Sequence, residues 1–164
     1  MASSAPSLLT GFAPAMQPDA RVLILGSFPG EASLAAQQYY AHPRNQFWRL
    51  LSAVLGNDLL QLDYASRLAS LARHRIGLWD VIIACEREGS LDASIRRAQI
   101  ADFSFLYTGF PELKTIAFNG KTSGRFAPQF AAAGFRTLVL PSSSPANAQL
   151  SFEEKLVKWR ALLS

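Results

Sequence analysis

The sequence predicts an α/β fold with one parallel, four-stranded sheet covered by helices on both faces. Three observations predict it. Four apolar runs, starting at Val22, Ile76, Lys114 and Arg136, are short enough for strands buried on both faces. Segments of helical spacing alternate with them, as connections between parallel strands require. Each run ends in a polar or glycine-bearing loop: Gly26-Ser27-Phe28-Pro29-Gly30, the Asp80 region, Asn119-Gly120-Lys121, and Pro141 to Ala148. In such a sheet these endings share one edge, the edge where open α/β folds bind ligands.

The 164 residues fit one domain, 1–164, with a loose N-terminal arm over 1–11. Phe12 to Pro18 reads as irregular structure before a first strand at Arg21–Gly26. Ser33 is a candidate N-cap for a short helix, and Pro43 blocks its continuation. Asn45 then stands as N-cap of a helix from Gln46 to Leu55, with Phe47, Leu50, Leu51, Val54 and Leu55 on one side and Gly56 as its stop. Asp63 to Arg75 is amphipathic, with Leu68, Leu71 and Ala72 inward. Its closing Arg73, His74 and Arg75 suit the negative end of a helix dipole, with DNA contact as the alternative. The second strand runs from Ile76 to Ile83, interrupted by Asp80. Gly89, Ser90 and Asp92 open a helix through Arg97, and another spans Asp102 to Phe110. A third strand covers Lys114–Phe118. Thr122 to Ala132 is helical in character despite Pro128, and the fourth strand is Arg136–Leu140. Ser151 and Glu154 form a capping box for a last helix with Phe152, Leu156, Trp159 and Leu163 as its buried stripe.

Composition narrows the function. Hydrophobic residues make up 49% and charged residues 17%, which excludes wholesale disorder. A net charge of +4 and a pI near 9.6 suit a polyanionic partner without requiring one. The single cysteine, Cys85, excludes an internal disulfide and a four-cysteine metal site, and its apolar neighbours mark an inert thiol. No apolar run is long enough to span a bilayer, and the N-terminus lacks the features of a signal peptide. The expectation is a soluble, cytoplasmic monomer without metal or cofactor. Between Arg21 and Trp48 the chain gathers Tyr39, Tyr40, His42, Arg44, Asn45, Phe47 and Trp48. These flat rings, an amide and cations can grip a planar, phosphate-linked ligand.

GSFPG followed by YYAHPRNQFW, with FNGK and LPSSSPANA later, resembles the uracil-DNA glycosylase superfamily. The resemblance is nearest to its hypoxanthine-DNA glycosylase branch, which is related to the mismatch-specific uracil/thymine-DNA glycosylases. It implies a three-layer α/β/α sandwich around the four-stranded parallel sheet, no cofactor, and hydrolytic release of a deaminated base flipped out of DNA. Where mismatch-specific relatives carry a water-holding asparagine, this chain has Phe28. The hypoxanthine branch shares that departure and points to Asn45 as the catalytic residue. The resemblance also implies a base pocket that includes Tyr40, stacked on the base, and Asp80 on the base edge. It places a wedge in the Ser142–Asn147 loop: Ser142, Ser143, Ser144, Pro145, Ala146 and Asn147.

The residue chemistry stands beside that transfer. Phe28 suits a pocket wall, and the backbone amides of Ser27 and Gly30 suit a base oxygen as charge develops. Asn45 is equally a good helix cap, and the two roles compete for one oxygen. Asp80 accepts an N–H from hypoxanthine or uracil alike, or simply caps a turn. His42, Lys121 and the serine loop suit phosphates. Hypoxanthine is the favoured substrate. The alternatives are mismatched uracil or thymine, a non-catalytic binder of damaged DNA, and a small-nucleotide-binding protein.

Overall fold

The computed structural model describes residues 7–164. Its strands are β1 (Leu9–Thr10), β2 (Val22–Gly26), β3 (Ile76–Asp80), β4 (Ile82–Glu86), β5 (Arg96–Ile100), β6 (Thr115–Asn119) and β7 (Arg136–Leu140). Its α-helices are α1 (Glu31–Ala36), α2 (Phe47–Leu55), α3 (Tyr64–Arg73), α4 (Ser104–Gly109), α5 (Lys121–Gly124), α6 (Ala127–Ala132) and α7 (Phe152–Trp159).

Strands β3, β2, β6 and β7 form the expected parallel sheet, in that order. Successive side chains of a strand point to opposite faces, and in β2, β3 and β6 both faces are buried, while the edge strand β7 is partly exposed. Ile24, Leu78 and Ala117 pack on one face with Phe47, Leu50 and Leu51 of α2, Leu71 of α3 and Trp159 of α7. Their neighbours Leu23, Leu25, Ile116 and Phe118 pack on the other with Leu106 of α4 and Phe130 of α6. The result is a three-layer sandwich. Each fully buried leucine contributes about 1.5–3 kcal/mol relative to an exposed one.

The run from Ile76 to Ile83 is two strands in two sheets, not one. After Asp80 the chain turns away, and the bend is tied to the end of β2 by Val81 N–H to Gly26 O (2.9 Å) and Ile82 N–H to Ser27 O (3.0 Å). β4 then sits between β1 and β5 in a separate antiparallel sheet. Asp80 is thereby the last residue of β3, at the sheet edge. The expected helix through Arg97 is also absent: Asp92–Ser94 makes one 3₁₀ turn, and Arg96–Ile100 pairs with β4. Long-range pairing outweighs local helix propensity there. The expected loose arm is corrected in part, because Leu9–Thr10 pairs with Cys85 and Ala84, while residues 1–6 lie outside the described residues.

Smaller departures have local causes. Gly30, not Ser33, precedes the first turn of α1, and Ser33 is buried with its hydroxyl accepting from Ala41 N–H at 3.1 Å. The Thr122–Ala132 segment is two helices, broken at Arg125-Phe126, with Pro128 tolerated in the first turn of α6. Arg73, His74 and Arg75 lie where α3 leads into the start of β3, the end opposite Asp80. Arg75 faces Asp19 and Glu112 in exposed pairs, which supports the structural reading of these cations. The capping box at Ser151 is present, but the buried stripe shifts: Leu162 is 3% exposed and Leu163 57%. The chain tightens into a 3₁₀ turn over Arg160–Leu163 and changes phase. Leu162→Ala should therefore cost about 2–5 kcal/mol in urea unfolding, and Leu163→Ala less than about 0.5 kcal/mol.

Candidate active site

A cleft of about 770 Å³ opens at the carboxyl ends of β2, β3, β6 and β7. Every position assigned to catalysis, base or DNA binding lines it, from Ser27, Phe28 and Gly30 through Tyr40, His42, Asn45 and Asp80 to Lys121 and the loop Ser142–Asn147. Phe47 and Trp48, by contrast, are buried in the core, and Arg44 stands outside the lining. Four separate connections meet there because parallel strands present all their endings on one edge.

Its floor is built around Gly26. A Cβ at this position would lie 2.6 Å from Asp80 Oδ1 and 2.9 Å from the Tyr40 hydroxyl. The glycine supplies clearance, not an unusual backbone angle, since its φ is not in the left-handed region. Asp80 is 5% exposed, and neither its Oδ2 nor the Tyr40 hydroxyl has a hydrogen-bond partner. Burial, with the nearby Asp92 carboxylate second, pushes the Asp80 carboxyl up to about 7. Burial and Asp80 keep the Tyr40 phenol well above its ordinary range, so it remains a donor. Buried polar atoms without partners are uncommon and costly, and two of them share this floor.

The tandem tyrosines divide their work. Tyr39 is a core anchor: its hydroxyl donates to Ala13 O, and its carbonyl accepts from the Trp48 indole. Tyr40 has φ +56° and lies face to face on Phe47, with ring centroids 3.9 Å apart. One face of Tyr40 is therefore covered, and its hydroxyl is what reaches the floor beside Gly26.

A chain of hydrogen bonds fixes the wall. Asn119, at the end of β6, accepts from Ser143 N–H and donates to Ser143 Oγ, both at 2.9 Å. Ser143 Oγ donates onward to Asn45 Oδ1 at 2.8 Å. The same oxygen accepts Phe47 N–H at 2.9 Å. A backbone N–H can only donate, so this bond fixes which end of the Asn45 amide is oxygen. Oδ1 is thus occupied twice, Nδ2 has no hydrogen-bond partner among the described residues, and Asn45 lines the cleft. Ser143 is fully buried. The expectation that it touches phosphate is corrected: its hydroxyl locks the β6 and β7 loops to the start of α2.

The sequence profile described as "Uracil DNA glycosylase superfamily" matches residues 13–163. The chain belongs to the uracil DNA glycosylase superfamily. A protein from Methanosarcina barkeri named hypoxanthine DNA glycosylase is 47% identical over 137 residues, covering 84% of this chain and 87% of that protein. A protein of the same name from Methanosarcina acetivorans is 42% identical over 152 residues, covering 93% and 96%. The solution NMR structure of a candidate uracil DNA glycosylase from Methanosarcina acetivorans superposes with a TM-score of 0.85 at 40% identity, covering 96% of this chain and all of that one.

The remaining positions of this glycosylase-family cleft have distinct settings. Phe28 is 6% exposed and backed by the Arg87 guanidinium, 5.3 Å from its ring centre. Ser27 donates its hydroxyl to Asp92 at 2.7 Å, and Gly30 precedes α1. His42 Nδ1 accepts Arg44 N–H at 3.1 Å, which leaves Nε2 as the outward donor. Lys121 is exposed on the rim. In the β7 loop, Ser142 and Ser144 oxygens accept backbone N–H groups of Ser144 and Ala146, which braces the exposed tip at Pro145 and Ala146. Asn147 folds its amide back onto Ser142 O.

Three positioning residues escaped sequence reasoning. Asn119 stood in a loop that was noted without a role. Arg87 holds Pro29 O at 2.7 Å and Gly89 O at 2.8 Å, and no local pattern marks it. Lys155 is 2% exposed and donates to Gln46 Oε1 and Asn147 O, both at 2.9 Å. Its spacing from Phe152 and Trp159 puts it on the buried stripe, a legible signal. Among the described residues, no group of three His, Cys, Asp or Glu side chains gathers to hold a metal ion, and no helix is long and apolar enough to cross a membrane.

The Asp80 setting carries a stability signature. The unfolded carboxyl ionises near pH 4, but the folded one keeps its proton to about pH 7. Its stabilising contribution is present below pH 4 and is lost as pH rises toward 7. Asp80→Asn lacks this loss. From pH 4 to pH 8, its unfolding free energy should gain on the order of 1–3 kcal/mol over the parent's, measured by urea denaturation at both pH values.

Proposed function

We propose that this superfamily member is a monofunctional DNA glycosylase that hydrolyses the N-glycosidic bond of hypoxanthine flipped out of DNA. The observation that carries it is the unpartnered pair on the floor. Hypoxanthine presents a lactam edge, with N1–H as donor and O6 as acceptor. Ionised, as it is above about pH 7, Asp80 accepts the N–H through a carboxylate oxygen, and the Tyr40 hydroxyl donates to the base oxygen. Adenine presents a bare N1 and an amino group, which reverses both partners. A site built for hydrogen bonding rejects a substrate that leaves its buried polar groups unpaired. The names of the two archaeal relatives support the same base. Uracil also presents a lactam edge, so uracil is the second reading.

Glycosidic cleavage of this kind develops oxocarbenium character on the sugar and negative charge on the departing base. A highly dissociative path needs a positioned water more than a strong base. Asn45 is assigned that water, held from Nδ2 because Oδ1 is occupied by Phe47 N–H and by Ser143. A water that accepts from Nδ2 keeps its second lone pair for the sugar carbon. The lysines lining the cleft, Lys121 and Lys158, are both exposed rather than part of the buried floor, which favours hydrolysis over Schiff-base chemistry. His42, Lys121 and the hydroxyls of Ser142 and Ser144 suit the flanking phosphates.

The test uses duplexes carrying one deoxyinosine, deoxyuridine, mismatched thymidine or deoxyadenosine, assayed for base release by the parent and Asn45→Asp. The parent should release hypoxanthine fastest and leave adenine untouched. Asn45→Asp retains both Oδ1 bonds and exchanges the Nδ2 donor for an anionic acceptor. It should melt within a few degrees of the parent yet cleave about a hundredfold more slowly in single turnover, about 2.7 kcal/mol in the barrier. Adenine release at a comparable rate would reject the edge reading. An undiminished rate in Asn45→Asp would reject the role of Nδ2.

A further inference from the structure

The geometry points to Leu91 as a second wedge, an apolar side chain that enters the base stack from the wall opposite the Ser142–Asn147 loop. This inference rests on the DNA glycosylase reading above. Turning a nucleotide out of a duplex leaves an unstacked gap at a cost in free energy, and proteins that distort DNA commonly fill such gaps with apolar wedges. The expected wedge loop is poorly equipped for this: its exposed tip carries Pro145 and Ala146, both small. Across the cleft Leu91 lines the rim and is 56% exposed. The buried apolar lining differs sharply, with Phe28 at 6% and Tyr39 at 4% exposed. Val139 also lines the cleft and is exposed, but it belongs to β7 and packs against the backbone at Gly124.

Leu91 is carried on a braced segment. On one side Ser90 Oγ accepts Glu31 N–H at 2.9 Å, and Arg87 joins Gly89 O to Pro29 O. On the other side Asp92 Oδ1 accepts the Ser27 hydroxyl at 2.7 Å. Leu91 itself is extended, with its carbonyl accepting Ser94 N–H at 3.0 Å as the 3₁₀ turn begins. Both flanks are therefore pinned to the Ser27–Glu31 segment that lines the base pocket. A large apolar side chain held in water on a fixed support gains from entering an apolar gap, and little ordering remains to be done on binding.

Leu91→Ala and Leu91→Met are compared with the parent in two assays. One is single-turnover release of hypoxanthine from a duplex and from the matching single strand, which has no paired stack to fill. The other is affinity for a duplex carrying a stable abasic analogue, which reports gap filling without chemistry. Leu91→Ala should slow duplex cleavage at least tenfold, slow single-strand cleavage less than twofold, and weaken abasic-duplex binding about tenfold. Leu91→Met should restore most of each loss. Equal slowing on both DNAs would make Leu91 a pocket wall, and unchanged abasic binding would remove it from the stack; either result overturns the inference. If the parent releases no base, the catalytic reading fails alone, and the abasic-duplex affinities still decide for or against the wedge.

Discussion

Any side chain at position 26 would displace the floor of the cleft. The space a Cβ would occupy is taken by an Asp80 oxygen and the Tyr40 hydroxyl, at 2.6 and 2.9 Å. These groups come from connections on either side of the last residue of β2, and only a glycine between them lets both reach one floor. Burial of a carboxyl group there is unfavourable, as its upward displacement to about 7 records. The surrounding sandwich supplies the compensating stability. Alternate residues of β2, β3 and β6 pack into two separate cores, so the strand ends are held from both faces. Strain and orphaned polarity concentrated at one sheet edge are expected of a functional site in an otherwise well-satisfied fold.

The wall depends on the floor's neighbours in turn. Ser143 ties the β7 loop to two elements through one buried side chain and its backbone: Asn119 at the end of β6, and the Asn45-Gln46 segment before α2, where Gln46 N–H donates to Ser143 O at 2.9 Å. Lys155 repeats the junction from α7 by holding Gln46 and the Asn147 carbonyl. Its pKa is drawn down by burial, the cost of placing an ammonium where it braces two loops. The expected N-cap role of Asn45 is corrected: Gln46 is the cap of α2. Asn45, one residue earlier, holds Phe47 N–H with its oxygen, while its nitrogen is the candidate catalyst. Sequence reasoning set those roles in competition. The hydrogen bonds resolve the conflict by direction.

What was legible in the chain follows the range of the forces involved. The four parallel strands were read from short apolar runs, because burial on both faces leaves a direct imprint on composition. The capping box at Ser151 was legible because capping is local. The split at Val81 was not. Ile82, Ala84 and Cys85 are as apolar as the strand before them, and only pairing with β5 and β1 moves them into another sheet. Nor could the serine loop show that Ser143 turns inward while Ser142 and Ser144 remain half-exposed. The convergence of Asn45, Asp80 and Tyr40 was inferred from strand order and resemblance. The clearance at Gly26 that makes it possible appears only in three dimensions.

The central claim is that the pair beneath Gly26 reads a lactam edge. It is tested most directly by a crystal structure bound to a duplex carrying a 2′-fluorinated deoxyinosine that resists cleavage. The account predicts the flipped base in the cleft, with its N1 within about 3 Å of an Asp80 oxygen and its O6 within about 3 Å of the Tyr40 hydroxyl. A base seated with that edge turned away from both groups, or one left stacked in the duplex while the floor stays unpartnered, would contradict it.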